Sequence, residues 1–141
     1  MPIRAIAYSS QAMPGLSIDD VENLATSADN FNKSADVTGI LLFDGSRFMQ
    51  YIEGPDEGLK QVYSRIIASR QHSEIIELAR GQISGRRFPP WPLRLLSTQH
   101  DQLRSVARGD WTGFALSRGG RAPTGTGMDR LQQAVAESMH A

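Results

Sequence analysis

Hydrophobic and polar positions along the first part of the chain change from a strand-like pattern to a helical one. Ile3 to Ser9 is a short, partly β-branched run that ends at polar residues and then a Pro-Gly pair, which predicts a first strand. From Ile18 to Ala28 the apolar residues recur at helical spacing, and Ser17 followed three residues later by Asp20 is an N-cap signature. The pattern therefore predicts a strand and then a helix with one buried face.

The next segment predicts a hairpin and a second helix. Val37 to Phe43 is a compact apolar run, the pair Asp44-Gly45 is typical of a hairpin turn, and Ser46 to Glu53 has the composition of the returning strand. Residues 56–69 carry acidic groups in their first turn and a single apolar stripe, which indicates a helix. The two strands of the hairpin are expected to pair antiparallel.

Two further strands are predicted over Glu74 to Ile83 and Leu93 to Ser97, on either side of a proline-rich turn. The order is therefore β-α-β-β-α-β with one added strand. It suits an α+β fold, a ferredoxin-like antiparallel sheet that carries both helices on one face. Such a sheet leaves an apolar outer face, with Met49 and Tyr51, for the C-terminal tail or another subunit, so we expect a homo-oligomer.

Residues 98–141 are predicted to form a C-terminal helical extension to a main domain of residues 1–97. Residues 102–107 fit a short helix, 117–127 are glycine-rich and fit a loop, and 128–139 fit a last amphipathic helix. The extension shows no core of its own. We therefore expect it to depend on the main domain.

Composition narrows the class of protein. A chain of 141 residues with 40% hydrophobic content suits one domain with an ordinary core. The absence of cysteine excludes a disulfide scaffold, a thiolate metal site and a cysteine nucleophile, and the three histidines are too scattered to suggest a metal site. No signal-peptide pattern or membrane-spanning run is found, so we expect a cytoplasmic protein without membrane contact.

The positive charge is concentrated late in the chain, which raises the alternative of an RNA-binding module with a similar sheet. Residues 80–121 hold 8 arginines and 2 aspartates, although the net charge is zero. The RNA-recognition pattern needs a basic residue, a glycine and then aromatics two and four positions after the basic residue, whereas Arg47 is followed by Phe48, Met49, Gln50 and Tyr51. A small hydrolase of acylphosphatase type shares the topology, but this sequence has no glycine-rich phosphate loop after the first strand. We therefore expect no nucleic-acid partner.

Tyr8, Gln50 and Trp91 are polar or amphipathic side chains at or next to predicted strands. Alternation places Gln50 on one face of the third strand, between Phe48 and Ile52. If the helices cover that face, an amide without hydrogen bonds costs roughly 1 to 3 kcal/mol. Gln50 therefore needs a polar partner there, and the pattern alone leaves open whether Tyr8 or the backbone supplies it or whether this face of the strand is open to water.

Four segments around these residues resemble the BLUF family, which are flavin-binding sensors of blue light. They are Tyr8-Ser9-Ser10; Asn32 followed by Val37-Thr38-Gly39; Gln50-Tyr51-Ile52-Glu53-Gly54; and Arg87-Phe88 with Trp91. Their order and spacing make the resemblance specific over about residues 2–97. Residues 98–141 resemble the tail of short, single-domain members without a fused output enzyme, so we expect a signalling domain and not an enzyme.

The resemblance implies a flavin, usually FAD, with FMN or riboflavin also possible, between the two helices and against the sheet. The amides would hydrogen-bond to the ring, and two aliphatic side chains would pack on its faces. A basic residue and a histidine would meet the ribityl or phosphate chain, because the family's usual arginine is Gln71 here. The implied cofactor-binding residues are Tyr8, Leu24, Asn32, Gln50, Arg65, Ile66 and His72.

The resemblance also implies a mechanism and an output. Tyr8 would give the excited flavin an electron and a proton, and the amide of Gln50 would be left rotated or tautomerised. Trp91 and Leu93 would carry the change to the fifth strand and the tail. Leu93 stands where the family commonly has methionine and lacks its sulfur acceptor. The expected partner is a separate effector, such as a cyclic-di-GMP phosphodiesterase or a response-regulator-like protein.

Overall fold

The computed structural model describes residues 2–111 and 126–139. Every strand and helix predicted for residues 3–97 is present, with shifted ends. β1 continues to Ala12 and β4 begins at His72, two residues before the predicted start, because these two residues pair with each other in neighbouring strands. The elements are β1 (Ile3–Ala12), α1 (Ile18–Ser34), β2 (Thr38–Phe43), β3 (Arg47–Pro55), α2 (Asp56–Ala68), β4 (His72–Ile83), β5 (Arg94–Ser97), α3 (His100–Ala107) and α4 (Gly127–Met139).

Local hydrogen bonds explain two of the boundaries that the sequence predicted. At the start of α1, Ser17 Oγ accepts from the Asp20 N–H at 3.1 Å and the Asp20 carboxylate accepts from the Ser17 N–H at 3.0 Å, which is a capping box. In the hairpin, Asp44 Oδ1 accepts from the N–H groups of Ser46 and Arg47. Gly45, which lies between Asp44 and Ser46, has φ = 100°, a conformation that favours glycine.

The sheet has the strand order β4-β1-β3-β2-β5. Its first four strands pair antiparallel as predicted, but β5 runs parallel to β2, so the sheet is mixed and the prediction of a wholly antiparallel sheet is wrong. The reason is the connection over residues 84–93, which carries the chain from one edge of the sheet to the other. At that edge β5 lies beside β2 and runs in the same direction as β2.

Both faces of the sheet are covered. On the inner face, which α1 and α2 cover, Phe48 packs in a cluster under α1 and Ile52 in a cluster under α2. On the outer face, Met49 and Tyr51 are fully buried in a third cluster with apolar residues of α3 and α4. The tail, one of the two partners expected for the outer face, therefore covers Met49 and Tyr51, and this face gives no support to self-association.

The C-terminal extension packs on the outer face through its apolar stripes. Leu103 and Val106 of α3 and Leu131 of α4 are buried there, which periodicity indicated for both helices. Gly127, predicted as the last residue of the loop, is the first residue of α4. Its backbone lies against Trp111, and a Cβ there would stand 2.2 Å from the indole, so the position requires glycine. The rest of the loop predicted over 117–127 lies outside the described residues, except Thr126. In the described ranges, no helix is long and apolar enough to cross a bilayer.

Candidate functional site

A cavity of about 440 Å³ lies between α1, α2 and the inner face of the sheet. Its volume falls in the range of roughly 300 to 1,000 Å³ that is typical of small-molecule sites. The floor is formed by buried side chains of β1 and β3, and the exposed Ser27 and Arg65 mark its mouth. All seven residues predicted to contact a cofactor line this cavity: Tyr8, Leu24, Asn32, Gln50, Arg65, Ile66 and His72.

The cavity lies between the apolar cluster under α1 and the apolar cluster under α2. Val21 and Ala25 anchor the first half of α1, and Leu59 and Val62 anchor α2. Between these anchors the residues that line the cavity include the small side chains of Ser27 and Ala28 on α1, and of Ala68 and Ser69 at the end of α2. Small residues on facing helices leave volume that larger side chains would fill.

Tyr8 and Gln50 are directly opposite each other on β1 and β3, and both are buried in the cavity floor. The Tyr8 hydroxyl donates a hydrogen bond to Gln50 Oε1, so the protein itself supplies one partner of the amide. The Nε2 group of Gln50 has no hydrogen-bond acceptor among residues 2–111 and 126–139. Because Gln50 lines the cavity, this end of the amide suits a ligand that carries acceptors.

The environment of Tyr8 keeps its phenol protonated. Burial raises the pKa of Tyr8, and the neighbouring phenol of Tyr63, whose ring centre lies 6.2 Å away, adds to the shift. The phenol is therefore a neutral donor across the physiological pH range.

Asn32 is buried near the end of α1 and lines the same cavity. Its Nδ2 donates to the backbone carbonyl of Pro92 at 2.9 Å. Its backbone carbonyl, and not its side chain, accepts the N–H groups of Ala35 and Val37 at the helix end, so the side chain is not the helix cap. Within the described part of the chain, Asn32 Oδ1 has no hydrogen-bond donor.

His72 and Arg65 join elements around the cavity. His72 Nε2 donates to the carbonyl of Ile66 at 2.8 Å, so in the neutral ring Nδ1 accepts from Ser10 Oγ at 2.7 Å. Both nitrogens of His72 therefore have protein partners. Arg65 donates from Nη2 to Ser27 Oγ at 2.9 Å, and its Cζ lies 4.5 Å from the centre of the Phe31 ring, so it bridges the two helices at the mouth.

Trp91 and Leu93 lie in different surroundings. Leu93 is buried and lines the cavity. Trp91 does not line it; the indole packs against the outer-face cluster, and the Cζ of Arg94 lies 4.9 Å from the ring centre. Both residues precede β5, which begins at Arg94, so the alternation of a strand does not place Trp91 and Leu93 on the same face.

Glu53 is a residue whose role sequence reasoning missed. It is fully buried on the outer face, where its carboxylate accepts four hydrogen bonds of 2.7 to 3.1 Å. Burial, followed by the charge of Glu53, raises the pKa of Tyr51. An acidic residue inside an apolar strand is the sequence feature that could have indicated this role. The donors are the hydroxyls of Thr38 and Tyr51 and the backbone N–H groups of Arg87 and Phe88.

A family model and curated proteins match this chain. The model described as BLUF, sensors of blue-light using FAD, matches residues 3–94. The blue light- and temperature-regulated antirepressor BluF of Escherichia coli (strain K12) is 32% identical over 124 residues, which cover 85% of this chain and 31% of that protein. Photoactivated adenylate cyclase subunit alpha of Euglena gracilis is 38% identical over 63 residues, 45% of this chain and 6% of the relative. The chain thus spans less than a third of the length of either relative.

Solved structures also match over nearly the whole chain. The dark-state structure of BlrB, a BLUF protein, has a TM-score of 0.72 and 28% sequence identity, and the match covers 97% of both chains. The α+β fold with its C-terminal helices is therefore shared with a single-domain structure.

Proposed function

Because the chain belongs to the BLUF family, sensors of blue light that use FAD, we propose that the cavity between α1 and α2 holds the flavin ring and that Tyr8 and Gln50 convert light absorption into a new hydrogen-bond pattern. The observation that supports this proposal is that the two ends of the buried Gln50 amide have different surroundings. Gln50 Oε1 accepts from Tyr8, and its Nε2 group, in the cavity floor, has no acceptor within the described ranges.

The residues that line the cavity suit a flavin. Gln50 offers donors and Asn32 offers an acceptor, and a flavin ring has carbonyl oxygens, ring nitrogens and an N–H group that can meet them. Leu24 of α1 and Ile66 of α2 would pack on the two faces of the ring. Arg65 at the mouth would meet a phosphate, and His72 would hold the wall between β1 and α2 through Ser10 and Ile66.

The geometry of Tyr8 and Gln50 supports the photochemical roles. When bound, the flavin supplies light absorption and a strong oxidant in its excited state. Tyr8 would give up an electron to the excited flavin, and its phenolic proton would then leave Oη for Gln50 Oε1, which already accepts its hydrogen bond. Return of one electron and one proton to Tyr8 would restore the phenol, and because Gln50 both donates and accepts, its amide can be left rotated or tautomerised.

The basic test is an absorption spectrum of the purified protein with FAD before and after blue illumination. We expect a small shift of the flavin bands to longer wavelength that reverses slowly in darkness, because a changed hydrogen bond alters the ring's electronic levels without changing its covalent structure. A colourless preparation that does not take up added FAD would exclude the proposal.

Arg65→Ala is expected to weaken the binding of FMN about 5-fold more than that of riboflavin, because only FMN carries a phosphate and an exposed ion pair contributes up to about 1 kcal/mol. The substitution also removes the contact with Phe31, so the informative quantity is the ratio of the two dissociation constants, measured by flavin fluorescence titration. Arg70→Ala is the control, since Arg70 is exposed and does not line the cavity. Equal losses for FMN and riboflavin would refute the phosphate contact.

We further propose that the light signal passes to a separate effector protein. The names of two relatives describe an antirepressor and an adenylate cyclase subunit, each much longer than this chain. A phosphodiesterase or a response-regulator-like protein remains the proposed partner class, and homo-oligomerisation remains a proposal as well. The RNA-binding alternative has no support, because α3 and α4 cover the outer sheet face that such a module would offer to bases.

A further inference from the structure

Two side chains of α1 hold a single peptide group ahead of β5. Asn32 Nδ2 donates to the carbonyl oxygen of Pro92 at 2.9 Å, and Asp29 Oδ1 accepts the N–H of Leu93 at 3.0 Å. The Pro92 carbonyl and the Leu93 N–H belong to the same peptide unit. Because that unit is planar, the two bonds together fix its orientation.

The clamped peptide lies next to the cavity. Asn32 lines the cavity, and so does the side chain of Leu93, which directly follows the clamped carbonyl. The carboxamide of Asn32 is a rigid plane, so a rotation that changes its contacts inside the cavity also changes its bond to Pro92. The hydrocarbon side chain of Leu93 cannot carry a hydrogen bond, which leaves the backbone as the polar route from the cavity to β5.

The segment around the clamped peptide leads to the opposite side of the sheet. The carbonyl of Trp91, the residue before Pro92, accepts from Gly39 N–H at 3.0 Å, which ties this segment to β2. Downstream, Leu96 is buried in the outer-face cluster with α3 and α4, and Trp91 packs against that cluster. A reoriented Pro92-Leu93 peptide would therefore move groups that contact the tail.

We propose that Asp29 is a positioning residue that, together with Asn32, holds the Pro92-Leu93 peptide in its dark orientation, and that illumination loosens β5 by weakening this clamp. The inference rests on the proposed function, because it requires a light-driven change at the cavity. Asp29 does not line the cavity, and its carboxylate reaches the segment ahead of β5 through the hydrogen bond from the Leu93 N–H.

Hydrogen exchange of the backbone N–H groups of residues 93–98 in FAD-loaded protein, in darkness and under blue light, tests the clamp. In the unmodified protein we expect faster exchange in light. In Asp29→Ala we expect the dark exchange to rise about 5-fold, as loss of one hydrogen bond predicts, and the light-dependent difference to disappear while the flavin red shift remains. Asp29→Asn keeps an oxygen acceptor and should restore both, and Glu22→Ala, an exposed carboxylate on the same helix, should change neither.

The possible results separate this proposal from the one on which it rests. If the unmodified protein shows no red shift, the proposed function fails and the clamp loses its basis. If the red shift is present but residues 93–98 exchange equally in light and darkness, only the clamp is refuted. An undiminished light-dependent difference in Asp29→Ala, a lost red shift in that variant, or failure of Asp29→Asn to restore the difference would each overturn the role of Asp29.

Discussion

Tyr8→Phe protein loaded with FAD is expected to remain yellow and to show no red shift under blue light. The phenyl ring keeps the packing of Tyr8 against Tyr63 and His72, but it removes the only donor to Gln50 Oε1 among the described residues and the proposed source of the electron and proton. The measurement is the light-minus-dark absorption difference at equal flavin loading. We expect this difference to fall below about one tenth of that of the unmodified protein, because no other described residue supplies a phenol at that position.

Two further variants make the result specific. Gln50→Ala should also lose the red shift, because no amide then lies between the phenol and the flavin. Tyr63→Phe is the matched control: its hydroxyl donates to Glu77 outside the cavity, so the red shift should persist. An undiminished red shift in Tyr8→Phe or Gln50→Ala would refute the assigned roles, and loss of the shift in Tyr63→Phe would show that any nearby phenol matters.

Glu53→Ala is expected to lower the free energy of unfolding by about 3 kcal/mol or more. The substitution leaves the buried N–H group of Phe88 and the neighbouring N–H group of Arg87 without acceptors, and each such group costs roughly 1 to 3 kcal/mol. The hydroxyl of Tyr51 also loses its acceptor on Glu53. Urea titration followed by circular dichroism measures the difference.

The controls for this prediction separate burial from charge. Glu53→Gln should give an intermediate loss, because its single carbonyl oxygen serves one N–H group while its NH₂ group opposes another. Glu22→Ala removes an exposed carboxylate and should change the unfolding free energy by no more than about 0.5 kcal/mol. A loss in Glu53→Ala as small as that of Glu22→Ala would mean that the carboxylate does not hold the connection between β4 and β5.

Local patterns in the sequence predicted the features that depend on neighbouring residues. Ser17 and Asp20 formed the capping box, Asp44-Gly45 formed the hairpin turn, and alternation placed Gln50 on the same face of β3 as Phe48 and Ile52. Each of these depends on residues within a few positions of one another. Helical periodicity likewise indicated α3 and α4, because it requires only an apolar stripe.

Features that depend on distant parts of the chain could not be predicted in this way. Periodicity shows that α4 has an apolar stripe but not which surface covers it, so the sequence left open whether the tail or another subunit covers the outer sheet face. The parallel pairing of β5 with β2 depends on where the connection over residues 84–93 crosses the sheet. The bond from Asp29 to Leu93 joins residues 64 positions apart, and the bonds of Glu53 to Arg87 and Phe88 span 34 and 35 positions.

β3 contributes side chains both to the cavity on the inner face and to the apolar cluster on the outer face, which are the two compartments of the protein. Gln50 points into the cavity and its neighbour Tyr51 into the core under the tail, so one peptide bond separates the two. Any substitution that alters the twist of this strand disturbs both compartments together. Engineering that aims to retune light sensitivity without altering output should therefore begin on α2, because α1 carries Asp29 and Asn32, and work on output should begin on α3 and α4.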